Sequence, residues 1–287
     1  MTNNKSITTR VTPRPLVHGD KIALVAPARF ASDKLIDEAT SLIKAAGFTP
    51  VMHKELSAKS GQFGGDDEHR AEVLNSAFRD SEVRAVLALR GGYGASRLLT
   101  LLDEAAYLED PTWIIGFSDI TALHAWSNNL GVASLHAPVA STIKSTHGED
   151  VEWMWETLMG NPPRVFDGRI VGGNLSVLFS LMGTPYFPDC CDSFLFIEDI
   201  DEFLYHIDRM IFALKLGGVF EKAKGLIVGE FSDLKDNTIE FGQRLDNPFM
   251  KDYKEIILDH LPEGYIVRFD MPTGHGERNY PIILGAP

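Results

Sequence analysis

In the first half of the chain, short apolar runs alternate with longer segments whose apolar residues recur at helical spacing. Ile22–Ala26 is wholly apolar and stops at Pro27, the mark of a buried strand. Ser32 and Asp33 then open a helix that runs to about Ala46 and ends at Gly47. The same reading predicts a helix over Asp66–Phe78, a strand over Val83–Leu89 and a helix over Ala95–Leu102. Trp113–Phe117 follows as a strand, and Ile120–Leu130 as a helix stopping before Gly131. Strand and helix in this rhythm predict a parallel sheet with helices on its faces.

From Ser141 the pattern breaks. Residues 144–150 are polar, a short aromatic helix holds Trp153 and Trp155, and Asn161-Pro162-Pro163 interrupts the chain. Residues 141–164 are therefore expected to link a first α/β domain, residues 1–140, to a second, residues 165–287. The second half predicts strands at Phe194–Ile197, Gly225–Phe231 and Tyr265–Phe269, a helix at Leu204–Leu216, and a closing strand at Tyr280–Leu284. Its strands are short and their order is not readable, so its sheet is expected to be mixed or barrel-like.

Composition narrows the partners. A formal net charge of -13 repels phosphate backbones and anionic headgroups, which disfavours nucleic acid and membrane and leaves small molecules and peptides. The first fifteen residues hold no apolar core of the kind a secretory signal needs. No apolar run approaches the roughly 18 residues of a spanning helix. The two cysteines, Cys190 and Cys191, are adjacent and read as free thiols, so the expected compartment is the cytoplasm.

Four segments can carry chemistry. In Ile114-Ile115-Gly116-Phe117-Ser118-Asp119, Ser118 stands at the joint between strand and helix, where open α/β sheets put their ligands. The amide of Asp119 would then face a developing oxyanion. The motif resembles a nucleophile elbow but lacks the second glycine, and from its neighbours alone a plain helix N-cap is the favoured role of Ser118. Arg90-Gly91-Gly92-Tyr93-Gly94 follows a strand and suits either an anion-facing loop or a tight turn. Arg97 occupies the third glycine position of a dinucleotide fingerprint, and there is no phosphate loop. Phe194-Leu195-Phe196-Ile197-Glu198-Asp199 ends a strand in carboxylates, which serve either as a base's partner or as a solvated acidic loop. Gly274-His275-Gly276 exposes one histidine between glycines, the most specialised setting among nine. His124 and His136 read as core residues. No metal-binding spacing is present, and no cofactor is expected.

Together these segments resemble the LD-carboxypeptidases, a family that includes the microcin immunity peptidases. Gly172-Gly173-Asn174-Leu175-Ser176, Tyr205-His206-Ile207-Asp208-Arg209-Met210 and Lys224–Phe231 agree as well, in family order, from about Lys21 to Pro287. The resemblance implies a Ser118–His275–Glu198 triad split across the two domains, with backbone amides of Gly92 and Asp119 as oxyanion donors. It implies a peptide substrate, a murein tetrapeptide cut before its terminal D-alanine for cell-wall recycling, and a homodimer. A free carboxylate on that substrate calls for a cation; Arg90 is the candidate, with Tyr93 beside it, and an ordinary ion pair is its alternative role. The immunity members instead cut an aminoacyl adenylate analogue with help from a loop aromatic. Trp153 and Trp155 are positioned for such a role or for plain packing. A non-catalytic protein that binds cell-wall peptides in the same cleft is the reading from another class.

Overall fold

The computed structural model describes residues 10–163 and 167–286, so the expected domain boundary at Arg164 and Val165 lies outside the described residues. The first half runs β1 (Lys21–Val25), α1 (Asp33–Ala45), β2 (Thr49–Met52), α2 (Asp67–Arg79), β3 (Val83–Ala88), α3 (Glu104–Glu109), β4 (Trp113–Gly116), α4 (Thr121–Asn129) and β5 (Ser134–His136). Helix α5 (Gly148–Leu158) follows. The second half runs β6 (Ile170–Asn174), α6 (Leu175–Leu181), β7 (Phe194–Ile200), α7 (Leu204–Leu216), α8 (Val219–Lys222), β8 (Gly225–Ser232), α9 (Tyr253–His260), β9 (Val267–Arg268) and β10 (Ile282–Leu284).

Local chemistry explains most of these elements. Ser32 caps α1 by accepting from the Leu35 amide, and Asp66 caps α2 by accepting from His69 at 2.8 Å. Ile36, Ala39 and Ile43 form the buried stripe of α1. The helix expected over Ala95–Leu102 is instead a single 3₁₀ turn, Ala95–Leu98. Asn75 of α2 holds the chain beyond it, donating to the Leu101 carbonyl at 2.9 Å and accepting from the Asp103 amide at 2.8 Å. A side chain from a distant helix thus outcompetes local propensity.

The first sheet has strand order β10-β5-β4-β3-β1-β2 and is parallel except for β10. The closing strand, expected with the second half, crosses back and pairs Ile282 with His136 and Leu284 with Ser134. The second sheet is β6-β7-β8-β9, parallel throughout and open, where a mixed or barrel-like sheet was expected. Parallel strands in chain order, with right-handed crossovers, put the connecting helices on one face. Leu195, Ile197, Leu226 and Val228 accordingly pack with Ile207, Met210 and Leu214 of α7. Phe196 and Ile227, pointing the other way, pack with Ile282 and Leu284. Strand β6 went unread because its glycines look like turn signals; they serve a close approach instead. A Cβ on Gly173 would fall 2.4 Å from Thr121 Oγ1, the same hydroxyl that accepts from the Asn174 amide at 2.9 Å.

Candidate active site

Ser118 lies just beyond β4, half-buried, with φ at +61°. A left-handed backbone costs a non-glycine residue about 1–2 kcal/mol and is kept where the surroundings over-determine it. The helix-cap role does not apply: Ser118 starts a 3₁₀ turn, Ile120 holds the cap position of α4, and neither supplies a capping side chain. The missing second glycine also has an explanation. A Cβ on Gly116 would sit 2.8 Å from Ile120 Cγ1, so glycine before the turn makes room for isoleucine after it. His124 steadies the approach: its Nε2–H donates to the Gly116 carbonyl at 2.8 Å, and its Nδ1 accepts from Ser134 at 2.9 Å. Burial pushes its pKa down to about 4, so this imidazole is neutral.

The glycine loop after β3 packs against the turn. A Cβ on Gly91 would lie 3.1 Å from Ser118 Cβ and 3.3 Å from its Oγ, so Gly91 is the loop residue in contact with Ser118. Gly92, the expected oxyanion donor, lies one step further out, beneath the side chain of Arg29. Buried Asp119 ties turn to loop by accepting from the Ala95 amide at 2.8 Å. Burial raises its pKa, against the amide and the charges of Arg70 and Arg29. Arg70, buried on α2, donates to the Gly94 carbonyl at 2.9 Å and also to Pro27 and Asp67. Sequence reading passed it over, since one arginine in an amphipathic helix reads as surface. Arg90 is half-buried, its Nε enclosed without a partner among the described residues. Tyr93 is exposed, with its ring 5.8 Å from that of Phe63.

The second half brings Glu198 and His275 together. Glu198 follows Phe194 and Phe196 in the strand alternation, so it points toward the first half, whereas Asp199 points to the helices. Asp199 there accepts from the Ser176 amide and from Asn174, each at 2.9 Å. Burial, with the neighbouring Glu198 charge, raises its pKa to about 7. Glu198 is fully buried and accepts from His275 Nδ1–H at 2.7 Å; its other oxygen has no protein partner among the described residues. Burial alone would depress the imidazole pKa. The charge and hydrogen bond of Glu198, with Asp199 and Glu230 behind it, reverse that and raise it.

The His275 loop is held on two sides. Glu230 accepts from the Gly276 amide at 2.7 Å, and a Cβ on Gly274 would fall 2.7 Å from Glu230 Cβ. The two glycines serve this tight docking. Buried Asp150 of α5 accepts from Arg278 at 2.7 and 2.8 Å and from the Asn279 amide at 2.9 Å. The polar stretch before Trp153, read as a linker, therefore clamps this loop.

The two halves meet where the His275 ring packs against Phe117, centroids 4.8 Å apart, one residue before Ser118. Among the described residues no hydrogen bond joins Ser118 Oγ to His275; such bonds are often long until substrate is present. His136 lies behind, its ring 5.9 Å from Phe117 and 5.1 Å from Phe196, with both nitrogens unpartnered among the described residues. Burial keeps its pKa well below the usual histidine value. Trp155 packs against Phe48 at 5.5 Å. Among the described residues, no three His, Cys, Asp or Glu side chains group to hold a metal ion, and no helix is long and apolar enough to cross a membrane.

This is a two-domain α/β protein of the peptidase class. The chain belongs to the LD-carboxypeptidase family: the family's N-terminal domain matches residues 22–137 and its C-terminal domain residues 167–287. It is 32% identical to a probable murein peptide carboxypeptidase of Bacillus subtilis strain 168, over 96% of this chain and 89% of that one. The microcin C7 self-immunity protein MccF of Escherichia coli is 25% identical over 75% of this chain and 77% of its own. The crystal structure of a muramoyltetrapeptide carboxypeptidase from Oxalobacter formigenes superposes with TM-score 0.80 at 26% identity, covering 92% of each chain.

Proposed function

We propose that the chain is a cytoplasmic serine carboxypeptidase that removes the terminal D-alanine from murein tetrapeptides, in the recycling of cell-wall peptides, and that it acts as a homodimer. The observation that carries this reading is the buried Glu198–His275 pair packed against Phe117, beside a serine on a left-handed backbone. Relatives named for murein peptides support the substrate.

In this reading His275 Nε2 takes the Ser118 proton while Oγ bonds to the scissile carbonyl carbon. Amides of Asp119 and of the glycine loop, Gly92 in the first instance, receive the oxyanion. The intermediate collapses by breaking its C–N bond, and Nε2–H returns the proton to the amine of departing D-alanine. Water then attacks the acyl-enzyme, with Nε2 again taking and returning a proton. Glu198 holds the imidazole by Nδ1–H and stabilises its charged form.

Incubation with a murein tetrapeptide is expected to release D-alanine, and Ser118→Ala to release none. Silence across a panel of stem peptides overturns the substrate. Cleavage of an aminoacyl adenylate analogue with tetrapeptides untouched favours the immunity-type activity; the packing of Trp155 on Phe48 argues against its stacking on a base. A Ser118→Ala variant with every function intact marks a binding protein.

A further inference from the structure

Strands β1 and β3 are neighbours, yet the chain leaves β1 for β2 on one side and β3 for β4 on the other. That divergence opens a crevice at the carboxyl ends of the two strands, where open α/β sheets hold their ligands. Arg29 lies just beyond β1 at this crevice and is exposed. Its side chain crosses Gly92: a Cβ there would fall 2.6 Å from Arg29 Cδ and 2.7 Å from Nε. Gly91 in turn touches Ser118. Two glycines thus separate the guanidinium from the serine.

We infer that Arg29 binds the free C-terminal carboxylate of the peptide substrate, an assignment that rests on the carboxypeptidase reading above. Geometry sets the requirement. With a single residue on the leaving side, the carboxylate carbon is at most about 4 Å from the attacked carbonyl carbon. Its cation must therefore stand beside the nucleophile, and side chains at positions 91 and 92 would block the approach. Charge selects the residue. Around the glycine loop, Arg70 and Arg97 are both committed to Asp67. Arg29 pairs with no carboxylate among the described residues, and its charge is felt by Asp119, next to Ser118. Arg90 is also unpaired, but its Nε is enclosed in the protein. An open guanidinium fork matches a carboxylate with two parallel hydrogen bonds.

The test compares a tetrapeptide ending in D-alanine with its C-terminal carboxamide. Arg29→Gln is expected to lower kcat/KM on the acid about 100-fold while changing the amide less than about twofold, so that the preference for the acid disappears. Arg29→Lys is expected to restore part of it. A wild-type acid-to-amide ratio in Arg29→Gln overturns the inference, and collapse of the ratio in Arg90→Gln instead transfers the role to Arg90. If the wild-type protein cleaves neither peptide, the carboxypeptidase reading fails and this inference with it, an outcome visible before any arginine variant is made. Thermal unfolding of each variant separates loss of binding from loss of fold.

Discussion

The two halves of the molecule bring different kinds of parts to their common edge. The first contributes backbone: a serine at φ +61°, a glycine loop pressed against it, and Asp119 and Arg70 tying loop to turn. The second contributes side chains: a buried carboxylate and the imidazole bonded to it at 2.7 Å. Even their histidines differ. His124 and His136 of the first half are held neutral by burial, while Glu198 biases His275 toward its charged form. A strained backbone keeps its shape only while its neighbours hold it, whereas a buried carboxylate–imidazole hydrogen bond depends on the exclusion of water. The two regions are therefore expected to fail differently.

The largest effect is expected at the joint. Ser118→Ala should cost about 10⁵-fold or more in D-alanine release. Ser118→Gly should be as inactive yet more stable by up to about 1 kcal/mol, because glycine accepts the left-handed backbone. Chemical denaturation measures this, and a Ser118→Gly protein less stable than Ser118→Ala contradicts a strained joint.

Glu198→Gln should lower kcat by about 10³- to 10⁴-fold while leaving the elbow intact. The wild-type rate should fall as pH drops through a His275 pKa above the ordinary 6.5, since the base must be neutral. The variant's residual rate should hold to lower pH, because the carboxylate that raises that pKa is gone. A shared acid limb for the two proteins argues against the pair.

Gly229→Ala tests the docking of the His275 loop. Its Cβ would fall 2.4 Å from the Thr273 carbonyl oxygen and 3.1 Å from Glu198 Cβ, neither a flexible tip. We expect a loss of about 1–3 kcal/mol and at least about tenfold in rate. An unchanged rate detaches the loop from the reaction.

The smallest effect separates the histidines. His136 has a folded pKa well below its unfolded value near 6.5, so it withdraws stability as pH falls below about 6.5. His275, raised in the fold, works in the opposite sense: it adds stability below 6.5 that is lost as pH rises through its folded pKa. Subtracting wild type from His136→Leu isolates the first. That difference should shift toward the variant by about 1.4 kcal/mol per pH unit below 6.5. A difference independent of pH contradicts a neutral buried His136.

Much of the first half was legible because its signals are local. Apolar runs, the Ser32 and Asp66 caps and the glycine stops each act within a turn or two of their own position. Less was legible where glycine serves contact rather than turning. Gly172-Gly173 hid β6, and the loop behind Asp150 passed for a linker because its partners, Arg278 and Asn279, lie more than a hundred residues away. Arg29 and Arg70 were invisible for the same reason: one arginine looks like another until its carboxylates are counted in space.

The sequence by itself determined the alternation of strands and helices, the position of Ser118 at a strand–helix joint, and a strand that ends in the carboxylates of Glu198 and Asp199. Only the tertiary structure decided that the serine takes a left-handed backbone instead of capping a helix. It alone returned the last strand to the first sheet and brought Glu198 to His275 and His275 to Phe117. Propensity and periodicity act over a few residues, whereas these contacts join segments as distant as Ser118 and Glu198, whose meeting depends on how two sheets pack.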